Sequence, residues 1–540
     1  MVGTLILIIL LTPGLLSLAR TEPGDENPEP SGLPPTGKPS GTANIRILGV
    51  NDFHGHIEEA ATLSATLDHY EAQNPEGTIR VHAGDMVGGS PLISSYFHDE
   101  PAVYAMKALG FDVGTLGNHE FDEGGGEMLR LLEGGRRDDG EQYKGGENTS
   151  DPNFPGAGFP YAAANILWKD SGEPVLAPYR IVERDGLKVG FIGATTKETP
   201  EILTETIDEF RFTDISKAVN RQVPELRRRG VETIVVLAHE GGYRKKPVEG
   251  RGDEIFAEAR QMSGAVDVVV AGHTHNLLDA RAGGKLVVTA EEYGTNLDVV
   301  DLRVDRATGD VTSSTARVVA NEGSFGADGE VARLVAGYRE RVAPISNRVV
   351  GRASRGATRA TTPAGENALG DLVSDAYRSA AGTDFAFVGS GGLRADLDAG
   401  PVTYGELYAA RPFEEVLVEM ELTGAEVRRV LEQQYDGGER TTLQVSGLRF
   451  AHDPSRPEGS RVTAVTLPGG APLDPEATYT VAVTRPLADG GSEFTAFTRG
   501  RSVRTVGDDL QILTHYVEEE LPRPFEPPDP TERRRITLEG

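Results

Sequence analysis

At 540 residues and a formal charge of −29, the chain has length for roughly three to four domains of about 150 residues and ample core. It has no cysteine, which excludes disulfides, thiolate metal sites, cysteine nucleophiles and a lipid-modified N-terminal cysteine, so His, Asp, Glu and Asn must hold any metal. The acidic balance argues against a nucleic-acid partner: the longest basic run, Arg227-Arg228-Arg229, closes a helical pattern ahead of Gly230, where positive charge complements the helix dipole.

Residues 2–18 are nearly all apolar, at the short end of the ~17 to 25 residues that span a bilayer, and Ser17-Leu18-Ala19 offers small residues for a signal peptidase. Export is therefore expected, with residues 1–20 a signal peptide or, uncleaved, a membrane anchor. Residues 21–43 are rich in Pro, Gly, Glu and Ser and read as a flexible linker.

A strand over 45–50 runs into Asn51-Asp52-Phe53-His54-Gly55-His56. A helical pattern at 60–70 leads to a strand at 79–82 and the turn Ala83-Gly84-Asp85-Met86. A helix at 101–109 and a strand at 112–116 then deliver Gly117-Asn118-His119-Glu120-Phe121-Asp122. His119 and Asp122, three apart, are spaced for the carboxylate to fix the imidazole tautomer. Residues 134–158 lack periodicity and read as a surface loop, and 161–166 reads as a strand. Asp185-Gly186 is a hairpin turn signal, and Asp214 is expected to cap a helix running to Arg229. Two further apolar strands, 232–237 and 266–270, end in Ala238-His239-Glu240-Gly241 and Ala271-Gly272-His273-Thr274-His275. Five strand ends thus carry Asp, His and Asn in turn. Such groups are costly to bury unless something gathers them, and the carboxyl ends of strands are where open α/β sheets place their sites.

In this order, Asp52-Phe53-His54, Gly84-Asp85, Gly117-Asn118-His119-Glu120, Ala238-His239 and Gly272-His273-Thr274-His275 resemble the calcineurin-like metallophosphoesterases, specifically the secreted 5'-nucleotidase and UDP-sugar hydrolase family. The resemblance implies an α/β protein: an N-terminal metallophosphatase β-sandwich flanked by helices in four layers (44–325), a linker helix (326–348) and a C-terminal α/β substrate-binding domain (349–535). It implies that Asp52, His54, Asp85 and His275 hold one divalent metal while Asp85, Asn118, His239 and His273 hold the other, with Asp85 as the bridge. Mixed imidazole and oxygen donors favour Zn, Mn, Fe or Co, and two carboxylates leave net positive charge to draw a phosphate. His119, oriented by Asp122, remains to stabilise developing charge or protonate the leaving oxygen. His56 has no evident role.

Beyond residue 349 the family likeness continues in Glu366-Asn367-Ala368-Leu369-Gly370-Asp371, Ser390-Gly391-Gly392-Leu393-Arg394 and Arg411-Pro412-Phe413. It implies that Arg394 contacts substrate and that Phe413 stacks on a nucleobase. Three positions depart from the family pattern: Glu415 stands for Asn, Pro486 for a second stacking aromatic and Ser492 for an acidic residue. Asp371 also stands where some members carry a basic or amide group. The expected activity is an exported, two-metal 5'-nucleotidase with weak base selectivity, its partner a small phosphoester. The alternatives are a 2',3'-cyclic nucleotide phosphodiesterase or UDP-sugar diphosphatase and, in a different class, a non-catalytic surface protein that retains the fold. The last predicts eroded ligands, whereas all seven are present.

Overall fold

The computed structural model describes residues 41–137, 149–202, 207–242, 254–413, 415–435 and 442–539. The apolar stretch 1–20, most of the linker and the middle of the 134–158 loop lie outside them. Among the described residues no helix is long and apolar enough to cross a membrane.

In chain order the first fourteen strands are β1 (Thr42–Val50), β2 (Thr78–His82), β3 (Val113–Thr115), β4 (Tyr161–Ala162), β5 (Ile166–Trp168), β6 (Tyr179–Arg184), β7 (Leu187–Thr195), β8 (Phe210–Phe212), β9 (Thr233–His239), β10 (Val268–Val270), β11 (Leu277–Ala282), β12 (Lys285–Ala290), β13 (Asn296–Asp305) and β14 (Val311–Ala320). Two six-stranded sheets form, ordered β14-β13-β1-β2-β3-β4 and β11-β12-β10-β9-β7-β6. β1, β2 and β3 run parallel in the first, and β7, β9, β10 and β12 in the second. Parallel strands covered on both faces need apolar residues at successive positions, not alternate ones, and β9 is buried at every residue.

The two sheets pack face to face through Ile45, Ile47, Ile79, Val81 and Val113 on one side and Phe191, Val235, Leu237, Val268 and Val288 on the other. Helices Ala60–Glu71 and Glu100–Leu109 cover one outer face, and Ile215–Arg228 and Glu254–Gln261 the other. The result is a four-layer sandwich whose two sheets bring the carboxyl ends of their parallel strands to one edge.

The single strand read at 161–166 is two short ones in different sheets. Asn165, fully buried, turns the chain between them: its amide nitrogen donates to the carbonyls of Thr195 (2.6 Å) and Thr213 (2.9 Å), and its oxygen accepts from the Thr195 N–H (2.9 Å). A side chain that takes over backbone hydrogen bonds ends the ladder locally. Asp214 does open the helix Ile215–Arg228, but its carboxylate pairs with Lys217 and caps no backbone N–H.

Helix Gly329–Ser346 joins the halves of the chain. Asp328 caps it by accepting from Glu330 and Val331 N–H (2.8 and 2.9 Å), and Arg341 lies 4.2 Å over the Phe97 ring, fixing it against the first half. Beyond it a five-stranded sheet runs in the order Leu443–Ser446, Phe385–Gly389, Thr478–Thr484, Val416–Thr423 and Arg501–Asp508. Helices Ala368–Ala381 and Gly424–Gln433 pack on it, the latter opened by a Thr423/Glu426 capping box.

Asp371, on the first turn of Ala368–Ala381, is 1% exposed, and its nearest cation is Arg535 at 3.5 Å. Burial pushes its carboxyl up to about 8; Arg535 opposes this and the neighbouring Glu366 adds to it. A carboxyl whose folded value lies above its unfolded one stabilises the fold while protonated. That contribution is complete below about 4 and is lost as pH rises through about 8. Asp371→Asn should therefore gain on the wild type as pH rises across this window, read from urea unfolding near both ends. A difference in stability that stays constant with pH would show that Asp371 does not titrate there.

Candidate metal centre

Every predicted ligand stands at or just beyond the end of a parallel strand. Asp52 and His54 follow β1, Asp85 follows β2, Asn118 follows β3, His239 ends β9, and His273 and His275 follow β10. Five of them, Asp52, His54, Asp85, His273 and His275, have φ of 49°, 47°, 51°, 74° and 53°. Left-handed backbone costs a non-glycine residue on the order of 1–3 kcal/mol and survives where the surroundings demand it, typically at a functional site. Two glycines serve the same turns. A Cβ on Gly117 would lie 2.1 Å from Asp85 Oδ1, and one on Gly84, at φ 87°, 2.5 Å from the Gly117 nitrogen.

The side chains converge in two groups. Asp52, His54 and His275 offer donor atoms all within 4.8 Å of one another, and so do Asp85, His239 and His273; a third triplet, His54, Asp85 and His119, shares a member with each and links them. Asn118 Oδ1 joins the second, 3.1 Å from His239 Nε2 and 2.9 Å from His273 Nδ1. Asp85 stands between the groups, its Oδ2 2.9 Å from His239 Nε2 and 3.7 Å from His54 Nε2. On the first group, His275 Nε2 lies 3.4 Å from Asp52 Oδ1 and 3.2 Å from His54 Nε2. Two buried carboxylates, an amide oxygen and four imidazoles whose lone pairs face inward at these separations form a donor set that fits two divalent ions.

Burial disfavours charge on all these groups, so their neighbours decide the outcome. Desolvation drives His54 well below its ordinary value and His273 down to about 4. Desolvation also opposes a charged His239, but the adjoining Asp85 carboxylate overcomes it and carries that imidazole up to about 10. Asp85 itself is held well below the usual carboxylate range despite its burial, because His239, His119 and His54 surround it.

His119 and Asp122 stand beside the ligands as the spacing requires, with His119 Nδ1 3.0 and 2.9 Å from the two Asp122 oxygens. The His119 backbone N–H donates to Asp85 Oδ1 (2.8 Å). Arg394 and Phe413, nearly three hundred residues further on, arrive at the same place. The Phe413 ring stacks on His119 with centroids 5.7 Å apart and planes at 19°, and the Arg394 guanidinium lies 5.0 Å over Phe413. Gly89, at φ 55°, makes room: a Cβ there would meet Phe413 at 2.8 Å.

Other residues hold this arrangement and went unread in the sequence. Asn51 donates to Asp52 Oδ2 (2.6 Å) and to the Glu291 carbonyl (2.5 Å). Glu120 accepts from the N–H groups of Gly117 (2.5 Å), Asp85 (3.0 Å) and Met86 (2.8 Å), tying the second and third ligand turns together. Glu292 pairs with His275 Nδ1, and Tyr293 stacks on His56 with centroids 3.9 Å apart, which gives His56 a place in the wall of the site. Asn51 and Glu120 each adjoin a predicted ligand, so adjacency was an available signal. Glu292 and Tyr293 carried none.

Residues 45–277 match the family model described as calcineurin-like phosphoesterase, and residues 348–499 match that of the 5'-nucleotidase C-terminal domain. Cell wall protein Lmo0130 of Listeria monocytogenes serovar 1/2a is 31% identical over 533 residues, which cover 89% of this chain and 67% of that protein. This chain is a calcineurin-like metallophosphoesterase with a 5'-nucleotidase C-terminal domain. Endonuclease YhcR of Bacillus subtilis (strain 168) is 34% identical over 500 residues, 88% of this chain, although the chain spans only 39% of that longer protein. Among solved structures, a 5'-nucleotidase precursor from Thermus thermophilus superposes with a TM-score of 0.76 at 27% identity, covering 92% of this chain and 99% of that one. The metallophosphoesterase is accordingly a metal-dependent phosphoester hydrolase that uses two divalent ions, and the donor set above is able to take them. Bound there, two such ions supply Lewis-acid polarisation of a phosphoryl oxygen and an activated water at neutral pH.

Proposed function

We propose that this enzyme is an exported 5'-nucleotidase that releases phosphate from nucleoside monophosphates with little preference among bases. In this reading Asp52, His54, Asp85 and His275 hold one metal, and Asp85, Asn118, His239 and His273 the other. His119 protonates the leaving oxygen while Asp122 holds its ring. Arg394 and Phe413 bind substrate.

The observation that carries it is the stacking of Phe413 on His119, with Arg394 over the same ring. An aromatic face and a guanidinium beside the metal ligands suit a substrate with a flat base and an anionic phosphate. The name of the Listeria relative, a cell wall protein, supports a site of action outside the cytoplasm.

Base selectivity should be weak for reasons visible around Phe413. A stacked base gains about 1–3 kcal/mol from a bare ring face, but here it must share the ring with Arg394. Pro486 is the second residue of the short helix Arg485–Ala488 and has no aromatic ring to offer as a second face. Glu415, which could have read a base edge, is committed instead to Arg411, whose Nη2 it accepts at 2.9 Å; that arginine is buried beside Asp509.

Phosphate release should be measured from AMP, GMP, UMP, CMP, a 2',3'-cyclic nucleotide, a UDP-sugar and an aryl phosphodiester. The four monophosphates are expected to lead and to agree in kcat/KM within about tenfold, or about 1.4 kcal/mol of discrimination. Phe413→Ala should raise KM for all four alike. Faster turnover of a diester or of the UDP-sugar would replace the nucleotidase reading with one of the phosphodiesterase alternatives. A hundredfold preference for one base, about 2.7 kcal/mol, would place recognition outside Phe413.

A further inference from the structure

Three of the ligand imidazoles have their outward nitrogen held, and not by equivalent partners. His54 Nδ1 donates to the Gly88 carbonyl (2.7 Å) and His239 Nδ1 to the Ala83 carbonyl (2.8 Å), both neutral. His275 Nδ1 instead meets the Glu292 carboxylate. Glu292 is held in place by its own loop. It sits between Glu291 and Tyr293, at φ 58° and 60°. Around it, Asn51 donates to the Glu291 carbonyl (2.5 Å), Asn296 to Glu291 Oε2 (2.8 Å), and the Tyr293 N–H to the Asp52 carbonyl (2.7 Å). The loop after β12 is thereby fastened to the turn that carries Asp52.

We propose that Glu292 makes the two metal sites unequal, with the Asp52, His54, Asp85 and His275 set the tighter, by orienting His275 and strengthening it as a donor. A carboxylate on the outer N–H of a ligating imidazole fixes its tautomer, raises its basicity and adds a negative charge close to the cation. The other set has a neutral amide in place of a second unshared anionic ligand, and His239 has only a carbonyl behind it. Glu292 is a positioning residue that touches neither substrate nor the reacting atoms. The proposal rests on the ligand assignment given under the proposed function.

The test is titration of the metal-free full-length protein with Co²⁺, followed by visible absorption and by calorimetry. Wild type should show two classes of site. Glu292→Gln, a change at a side chain that is 34% exposed, should weaken the tighter class by about 10- to 100-fold while leaving the other in place. Matching unfolding temperatures of the two metal-free proteins would establish that the variant folds. Two equal classes in wild type, or a variant in which both classes shift alike or neither shifts, overturns the role of Glu292. Fewer than two Co²⁺ per wild-type chain overturns the ligand assignment itself, and this inference with it.

Discussion

Asp85→Asn and Asp85→Ala are expected to lose nearly all activity and to bind less metal at both sites, not one. The reason is position: Asp85 Oδ2 is 2.9 Å from His239 and 3.7 Å from His54, so one carboxylate serves both donor groups. Losing metal-derived stabilisation worth several kcal/mol amounts to a fall on the order of 10³-fold or more, at about 1.4 kcal/mol per decade. Asn is the more informative change because its oxygen can still accept from the His119 N–H, as Asp85 Oδ1 now does at 2.8 Å. A folded variant with a neutral residue at this point isolates the missing charge. Elemental analysis checks the result, and two metals per chain with full activity in Asp85→Ala would sink the bridging assignment.

His119→Asn should give the opposite pattern, with metal retained and kcat down by roughly 10²- to 10⁴-fold, the usual range for one acid/base group. His119 shares a hydrogen-bonded unit with Asp122 and lies against Phe413, the ring proposed to hold the base. If its task is to protonate the leaving oxygen, the loss should be smaller for an aryl phosphate, whose phenolate leaves without help, than for AMP. Equal losses on both substrates would favour charge stabilisation over proton donation. Metal loss comparable to that of Asp85→Asn would make His119 a ligand.

Much of this molecule is determined by sequence features that act over a few residues. Apolar runs such as Val268–Val270 suit strands buried on both faces, and the polar groups that follow each of them meet at one sheet edge. The spacing of His119 and Asp122 was enough to place them in hydrogen-bond contact, because residues three apart in a tight turn share a face. The composition excluded thiolate chemistry outright.

What only the tertiary structure decided are contacts that span long stretches of chain. The His273 N–H donates to both oxygens of Asp52, 221 residues away, and no local pattern foretells which strand ends become neighbours when two sheets pack. Glu292 carries no local signal in Ala290-Glu291-Glu292-Tyr293; it is a partner of His275 because β12 lies parallel beside β10, so both chains leave the sheet at the same edge. Glu415 read as an altered base-binding position until Arg411, buried with Asp509, claimed it. A buried charge needs its counter-charges wherever the chain can supply them, and that demand is met in three dimensions, not in sequence order.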